Sequence, residues 1–289
     1  MIPASFDYHS PKTLSEAIDL LSRHGDGAKV LSGGQSLLPL LKLRLGTASH
    51  LVDIGKVPGL EYIREEDGFL KIGGRTREST LEASDLIRKK YPILADTAAV
   101  IADPLVRNLA TVGGNLAHGD PANDHPATML ALGAVVVATG PKGERTIPIE
   151  QFFTDLFTTA LSRDEILTEI RIPTPPAGSG GAYVKLERKV GDFATAASAA
   201  QVTLKGGVVE RAGIGLTNAG PVPVKAARAE AFLKGKKLDA ATIAEAARLA
   251  AESAEPEADR RGSVEYKKQM ARVLTARALA KAAERAGGA

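Results

Sequence analysis

Apolar residues recur with helical spacing at Leu14, Ala17, Ile18 and Leu21, between the capping box Thr13-Leu14-Ser15-Glu16 and Gly25. This pattern predicts a helix. Residues 29–31 form a short apolar run and read as a strand, and residues 51–54 read as another. Between them, residues 37–45 are apolar but interrupted by Pro39, Lys42 and Arg44, so a short helix or turn is expected. Residues 62–63 and 69–74 flank Glu66-Asp67-Gly68 and predict a hairpin. Helical character follows over 80–90 and again over 92–103, where Asp103-Pro104 reads as a stop. Residues 129–138 read as a helix end, a turn at Gly133 and a strand, and 165–172 as a further strand.

Proline and glycine then crowd into Thr174-Pro175-Pro176-Ala177-Gly178-Ser179-Gly180-Gly181, the best linker candidate. A new β pattern covers 182–189, 194–204 and 207–217, and alanine-rich helices are expected over 225–234, 239–253 and 263–286. The expected fold class is α+β. A small N-terminal β-α-β subdomain spans about 1–55 and a mixed α/β middle subdomain about 56–175. A C-terminal domain over 180–286 has a three-stranded antiparallel sheet with a helical bundle.

With 289 residues the chain can hold two domains. Its net charge is only +3, and the basic excess lies mostly near the C-terminus, where Tyr266 is the only interleaved aromatic. That argues for a solvated helix face or a subunit contact and against nucleic acid. The chain has no cysteine, which excludes a disulfide, a thiol nucleophile and a Cys-ligated iron–sulfur cluster within it. No apolar run approaches membrane-spanning length and the N-terminus has no signal-peptide pattern. A cytoplasmic location is expected, with membrane contact only indirect, through a complex.

Two double-glycine turns carry the candidate chemistry: Ser32-Gly33-Gly34-Gln35-Ser36 and Thr111-Val112-Gly113-Gly114-Asn115. Either alone is what an ordinary structural turn uses. Together they offer backbone N–H groups without Cβ obstruction, beside hydroxyl and amide side chains. A diphosphate held between two loops needs these features. Gly213-Ile214-Gly215 looks like the start of a dinucleotide fingerprint. However, Asn218 stands where the third glycine belongs, and Gly220-Pro221-Val222-Pro223 forbids the helix that should follow. The segment from His118 to His125 contains Asp120, Pro121 and Asp124, is followed by Pro126, and matches no standard metal spacing. Its functional reading is Asp124 accepting from a ribose hydroxyl, and its structural reading is a turn. The charged run 185–193 reads as a solvated sheet face or as a cationic and aromatic wall beside a ligand ring.

The two glycine loops are followed by Leu37-Leu38-Pro39-Leu40-Leu41-Lys42-Leu43-Arg44-Leu45 and by Asn115-Leu116-Ala117-His118-Gly119-Asp120-Pro121-Ala122-Asn123-Asp124-His125-Pro126. With these stretches the chain resembles the FAD-binding medium subunits of the molybdenum hydroxylases, in particular the carbon monoxide dehydrogenase type. The xanthine dehydrogenase domain is a more distant likeness. The resemblance continues through Glu187-Arg188-Lys189-Val190-Gly191-Asp192-Phe193-Ala194, Gly213-Ile214-Gly215-Leu216-Thr217-Asn218 and Glu265-Tyr266-Lys267-Lys268. It implies that 1–175 is the FAD-binding domain. Ser32, Gly33, Gly34, Gln35 and Ser36 would hold the pyrophosphate with Thr111, Gly113, Gly114 and Asn115. Ile101 and Leu167 would line the cofactor, Asp124 would bind its sugar region, and Lys185 would lie near the flavin. Phe193 would contact the isoalloxazine ring where relatives often carry tyrosine, keeping the ring contact without the hydroxyl.

No attachment residue is evident, so the implied FAD is non-covalent, and no catalytic residue is assigned. The resemblance further implies an iron–sulfur small subunit with [2Fe–2S] clusters and a large subunit with the molybdenum cofactor, arranged as a dimer of heterotrimers. Carbon monoxide is the expected substrate type. An aldehyde, an N-heterocycle or an aromatic acyl-CoA remains open, as do a stand-alone flavin oxidoreductase and a non-catalytic flavin-binding assembly protein.

Overall fold

The structure is a computed structural model that describes residues 2–287. The first strand, β1 (Asp7–His9), leads through a bend to α1 (Leu14–His24). Thr13 caps α1 by accepting from the Glu16 N–H, and Glu16 reaches back to the Lys12 N–H. Such a cap is worth about 1 kcal/mol. The chain continues through β2 (Ala28–Leu31), α2 (Leu37–Leu43) and β3 (His50–Asp53). The strands form a parallel sheet in the order β1-β3-β2, so the expected β-α-β unit gains one strand. Ala17, Ile18 and Leu21 bury the inner face of α1 against Ala28 and Val52.

The middle unit opens with the expected hairpin, β4 (Ile63–Glu66) and β5 (Phe69–Gly73). The helical stretch after it is two helices, α3 (Glu78–Ala83) and α4 (Asp85–Lys90), because Ser84 ends the first and caps the second through its hydroxyl. Then come α5 (Pro92–Ala99) and α6 (Pro104–Arg107). Asp103-Pro104, expected to stop a helix, instead starts α6. The Asp103 carboxylate accepts from the Leu105 and Val106 N–H groups, and proline occupies the first helical position, where no N–H is needed. The unit continues through α7 (Val112–His118), α8 (Asp124–Leu132), β6 (Val135–Gly140), β7 (Gly143–Pro148), the small ribbon β8 (Phe153–Asp155) and β9 (Thr158–Thr159), and β10 (Ile166–Pro173). Its main sheet is antiparallel throughout, in the order β4-β5-β10-β6-β7.

The C-terminal segment forms β11 (Ser179–Leu186), β12 (Ala196–Lys205), β13 (Val208–Thr217) and the two-residue edge strand β14 (Val224–Lys225). The three long strands are the expected antiparallel sheet, and β14 adds to its edge. The helices α9 (Ala227–Leu233), α10 (Ala240–Glu252) and α11 (Val264–Gly287) follow. Alanines dominate the buried face of α11, and their small size lets the helix lie close on β11 and β12.

The largest hydrophobic core runs from the middle sheet through α5 and α8 onto Tyr183, Ala194, Ala197 and Ala199 of the C-terminal segment. Charge reinforces the same junction. Asp96 of α5 receives Arg285 at 2.6 Å and Lys281 at 3.1 Å from α11. The glycines of Gly213-Ile214-Gly215 serve this packing as well. A Cβ at Gly213 or Gly215 would overlap the carbonyl of Ala131 or Ala127, because α8 lies directly on β13. The pattern that resembled a nucleotide fingerprint is a helix–sheet contact.

Gly215→Ala is therefore expected to destabilise the chain by about 1–3 kcal/mol through overpacking. Urea unfolding followed by circular dichroism checks this, and an unchanged midpoint would contradict the close approach of α8 to β13.

Candidate functional site

Strand β2 delivers the chain into the first glycine loop at the C-terminal end of the small sheet. Gly34 has φ of 74°, a left-handed conformation that glycine adopts without a Cβ penalty. Gly33 faces the other way, and a Cβ there would overlap the carbonyl oxygen of Leu109. Gln35 donates from Nε2 to the Gly33 carbonyl at 3.3 Å. Ser36 precedes α2 without making a side-chain cap. Among the described residues the N–H groups of Gly34, Gln35 and Ser36 donate to no protein acceptor.

The second loop meets the first directly, since Ser32 Oγ lies 3.0 Å from Thr111 Oγ1. Thr111 also caps α7 by accepting from the Gly114 N–H at 3.2 Å. The Asn115 N–H donates to the Thr111 carbonyl at 2.9 Å and the Gly113 N–H to the Gly74 carbonyl at 3.1 Å. Gly113 is pressed against Gly74, leaving no room for a Cβ. The second loop thus differs from the expectation of two equivalent loops. Its N–H groups are engaged internally, and what it presents is hydroxyl and amide side chains. Asn115 Oδ1 is buried with no hydrogen-bond partner, although the backbone carbonyl of Asn115 accepts from Asn123 Nδ2 at 2.8 Å. A buried acceptor without a donor is costly, and a ligand donor would relieve that cost.

Ile101, Asp124, Lys185 and the 187–193 loop gather at the junction with the C-terminal sheet. Lys185 Nζ donates to the Val100 carbonyl at 2.9 Å and to Asp124 Oδ2 at 3.0 Å. Its side chain is 2% exposed, and Glu187 lies 3.3 Å from the ammonium. Tyr183 donates its hydroxyl to Asp124 Oδ1 at 2.6 Å. Burial pushes the Asp124 carboxyl up from its ordinary value, against the pull of Lys185 and the Tyr183 hydrogen bond. Burial also pushes the Tyr183 phenol well up. Both carboxylate oxygens of Asp124 are therefore held by the protein itself.

Ile101 is 6% exposed, and Ala102 has φ of 47°, unusual for a residue with a Cβ. Arg107 fixes this bend by donating to the Ile101 and Ala102 carbonyls at 2.9 and 3.1 Å and to Glu82 at 2.8 Å. Gly191 packs against the Ala102 carbonyl, which brings the 187–193 loop alongside. Phe193 and Val190 on that loop are exposed, with Phe193 at 47%. Leu167 is buried on β10 in the main core, at a bulge next to Gly74. His118 and His125 do not come together. His118 packs near Phe157, and burial pushes its imidazole down. His125 is fully buried against Glu78 at 2.7 Å.

Arg107, Tyr183 and Gly74 were not legible as site residues. Tyr183 alone left a signal, standing two residues before Lys185 on a predicted strand and so on the same face.

Two loops from separate α/β units, joined by a hydroxyl pair and offering free N–H groups and an orphan acceptor, define a cofactor-binding protein built without a Rossmann motif. Residues 4–175 match the family described as FAD binding domain in molybdopterin dehydrogenase, and residues 181–282 match the CO dehydrogenase flavoprotein C-terminal domain. The carbon monoxide dehydrogenase medium chain of Afipia carboxidovorans is 45% identical over 286 residues, covering 99% of each chain. The 6-hydroxypseudooxynicotine dehydrogenase complex subunit alpha of Paenarthrobacter nicotinovorans is 40% identical, covering 99% of this chain and 97% of its own. Among solved structures, a carbon monoxide dehydrogenase chain from Hydrogenophaga pseudoflava superposes with a TM-score of 0.96 at 46% identity, covering 99% of each chain. The chain belongs to the family of FAD-binding medium chains of the molybdopterin dehydrogenases, so it is an FAD subunit of a molybdenum-containing oxidoreductase. The free N–H groups and the unpartnered Asn115 Oδ1 fit that cofactor, supplying donors for an anion and an acceptor for a hydroxyl or ring N–H.

Lys185→Met leaves the Asp124 carboxylate buried without its cation. The expected loss is about 3–5 kcal/mol in urea unfolding, partly recovered when Asp124→Asn is added. A loss under about 1 kcal/mol would contradict the buried pair.

Proposed function

We propose that this chain holds FAD non-covalently and relays electrons within a heterotrimeric molybdenum hydroxylase of carbon monoxide dehydrogenase type. The joining of the two glycine loops through Ser32 and Thr111 carries this reading. In it, the N–H groups from Gly34 to Ser36 and the hydroxyls of Ser32, Ser36 and Thr111 hold the pyrophosphate, with Gln35 beside them. Gly33, Gly113 and Gly114 let the loops close on it, and Asn115 accepts from the cofactor. Ile101 and Leu167 bound its apolar parts. Lys185 sets the local charge from behind the Val100–Ile101 main chain, and Asp124 acts in the sugar region by fixing Lys185 and Tyr183. Phe193 covers the isoalloxazine ring.

When bound, FAD supplies the redox chemistry between the iron–sulfur side and an external acceptor. The absence of cysteine from the chain supports [2Fe–2S] clusters in a small partner subunit, with the molybdenum cofactor in a large one. The identity to carbon monoxide dehydrogenase medium chains supports that substrate type. The proposed assembly is a dimer of heterotrimers in the cytoplasm, with any membrane contact made indirectly through the complex. Among the described residues no helix is long and apolar enough to cross a membrane. The proposed division is 1–175 for the flavin domain and 180–286 for the sheet-plus-helices domain.

The test is anaerobic stopped-flow mixing with carbon monoxide. Flavin absorbance is expected to bleach in the assembled complex and to stay unchanged in the isolated chain. Bleaching of the isolated chain at a comparable rate would overturn the relay reading.

Non-covalent binding predicts that acid precipitation releases FAD into the supernatant. Flavin retained on the precipitate, or FMN in the supernatant, would contradict it. Asn115→Leu is expected to weaken FAD binding about tenfold or more while leaving the flavin-free chain as stable or slightly more so. The variant removes an acceptor that no protein donor satisfies. Flavin titration and thermal unfolding of both forms check this split. Equal affinity for FAD would remove Asn115 from the site.

A further inference from the structure

Three of the five histidines of the chain, His9, His24 and His50, converge on one spot of the N-terminal unit. They come from three different elements: β1, the last residue of α1 and the start of β3. Each offers a ring nitrogen, and the three nitrogens lie within 4.8 Å of one another. His9 Nε2 is 3.2 Å from His50 Nδ1, and Asp7 Oδ2 is 3.5 Å from the same Nδ1. Asp7 and His9 are two residues apart on β1, and β1 pairs with β3 in a register that sets Asp7 opposite His50. Strand alternation therefore places Asp7, His9 and His50 on one face of the sheet. The His24 ring stacks over His50 with centroids 3.7 Å apart, at the end of the helix that packs on that face. All three rings are partly exposed, so the spot is open to solvent.

A tetrahedral zinc ion with ligands at 2.0–2.1 Å keeps its donor atoms about 3.3 Å apart. The His9–His50 and His50–Asp7 separations already match two edges of such a tetrahedron. His24, at a helix terminus and stacked on His50, would supply the fourth donor by turning its ring out of that stack. Imidazole and carboxylate donors without thiolate suit zinc, nickel or copper(II) and disfavour magnesium and calcium.

We propose that His9, His24, His50 and Asp7 form a binding site for a divalent transition metal, with Zn²⁺ as its ion. The site lies at the end of the small sheet where β2 and β3 begin, opposite the glycine loop that follows β2. It is thus separate from the proposed flavin site. Bound metal clamps β1, α1 and β3 together and stabilises the folded unit by mass action.

The test uses the full chain, free of any histidine tag, stripped with chelator and titrated with Zn²⁺ by calorimetry. One Zn²⁺ per chain and a rise in thermal midpoint are expected. His24→Gln and His50→Gln are each expected to weaken binding about tenfold or more. The triple variant His9→Gln/His24→Gln/His50→Gln should abolish both effects. Co²⁺ in place of Zn²⁺ should give the intense visible bands of a tetrahedral ion, which a folding defect alone would not remove from wild type. No stoichiometric binding to wild type, or Zn²⁺ binding that the triple variant retains, would overturn the proposal. FAD content is measured in parallel and is expected to be unchanged, so this outcome is independent of the flavin reading.

Discussion

The placement of Gly33 against the main chain of Leu109 and Ala110 fixes how the N-terminal unit meets the middle unit. No side chain fits between them, so the backbones come into direct contact and the neighbouring residues are set by that contact. Ser32 and Thr111 then meet at hydrogen-bond distance, and Gly113 closes on Gly74 from the other side. Gly113 of the second loop serves this packing, and the N–H groups left without a protein acceptor are those of Gly34, Gln35 and Ser36 in the first. Close-packed interiors transmit small volume changes, so one methyl at position 33 would separate the two halves of the site.

A second constraint acts at the junction with the C-terminal sheet. Asp124, Lys185 and Tyr183 form a buried polar network, and Arg107 grips the bend at Ile101 and Ala102. Buried ion pairs contribute little net stability because desolvation offsets their attraction, but breaking one is costly. Their effect here is geometric. The Val100–Ala102 main chain is held by Lys185 from one side and Arg107 from the other, while Asp96 ties α11 to α5. Val190 and Phe193 stay exposed on the loop that Gly191 packs against this main chain.

Much of this was legible in the sequence where local chemistry and periodicity agreed. The capped helix at Leu14, the hairpin at Asp67-Gly68 and the long strands of the C-terminal sheet stand where patterning placed them. The strands that patterning missed are short or polar. β1 has three residues, and β7 exposes most of its side chains at a sheet edge, so neither shows apolar alternation. The helical stretch over 80–90 breaks at Ser84, which ends α3 and caps α4, and Asp103 caps α6 after α5 has already ended at Ala99. For the site, the glycine loops were visible as motifs, but the engagement of their N–H groups is a tertiary property. The histidine cluster was invisible because its members are separated along the chain and meet only through the β1–β3 register.

A crystal structure of the chain with FAD bound would show whether one pyrophosphate is held where the two loops meet. The diphosphate is expected within hydrogen-bond distance of the Gly34, Gln35 and Ser36 N–H groups and of the Ser32–Thr111 hydroxyl pair, with Asn115 Oδ1 accepting from the cofactor. A diphosphate elsewhere on the surface, with those N–H groups still unpartnered, would contradict this placement.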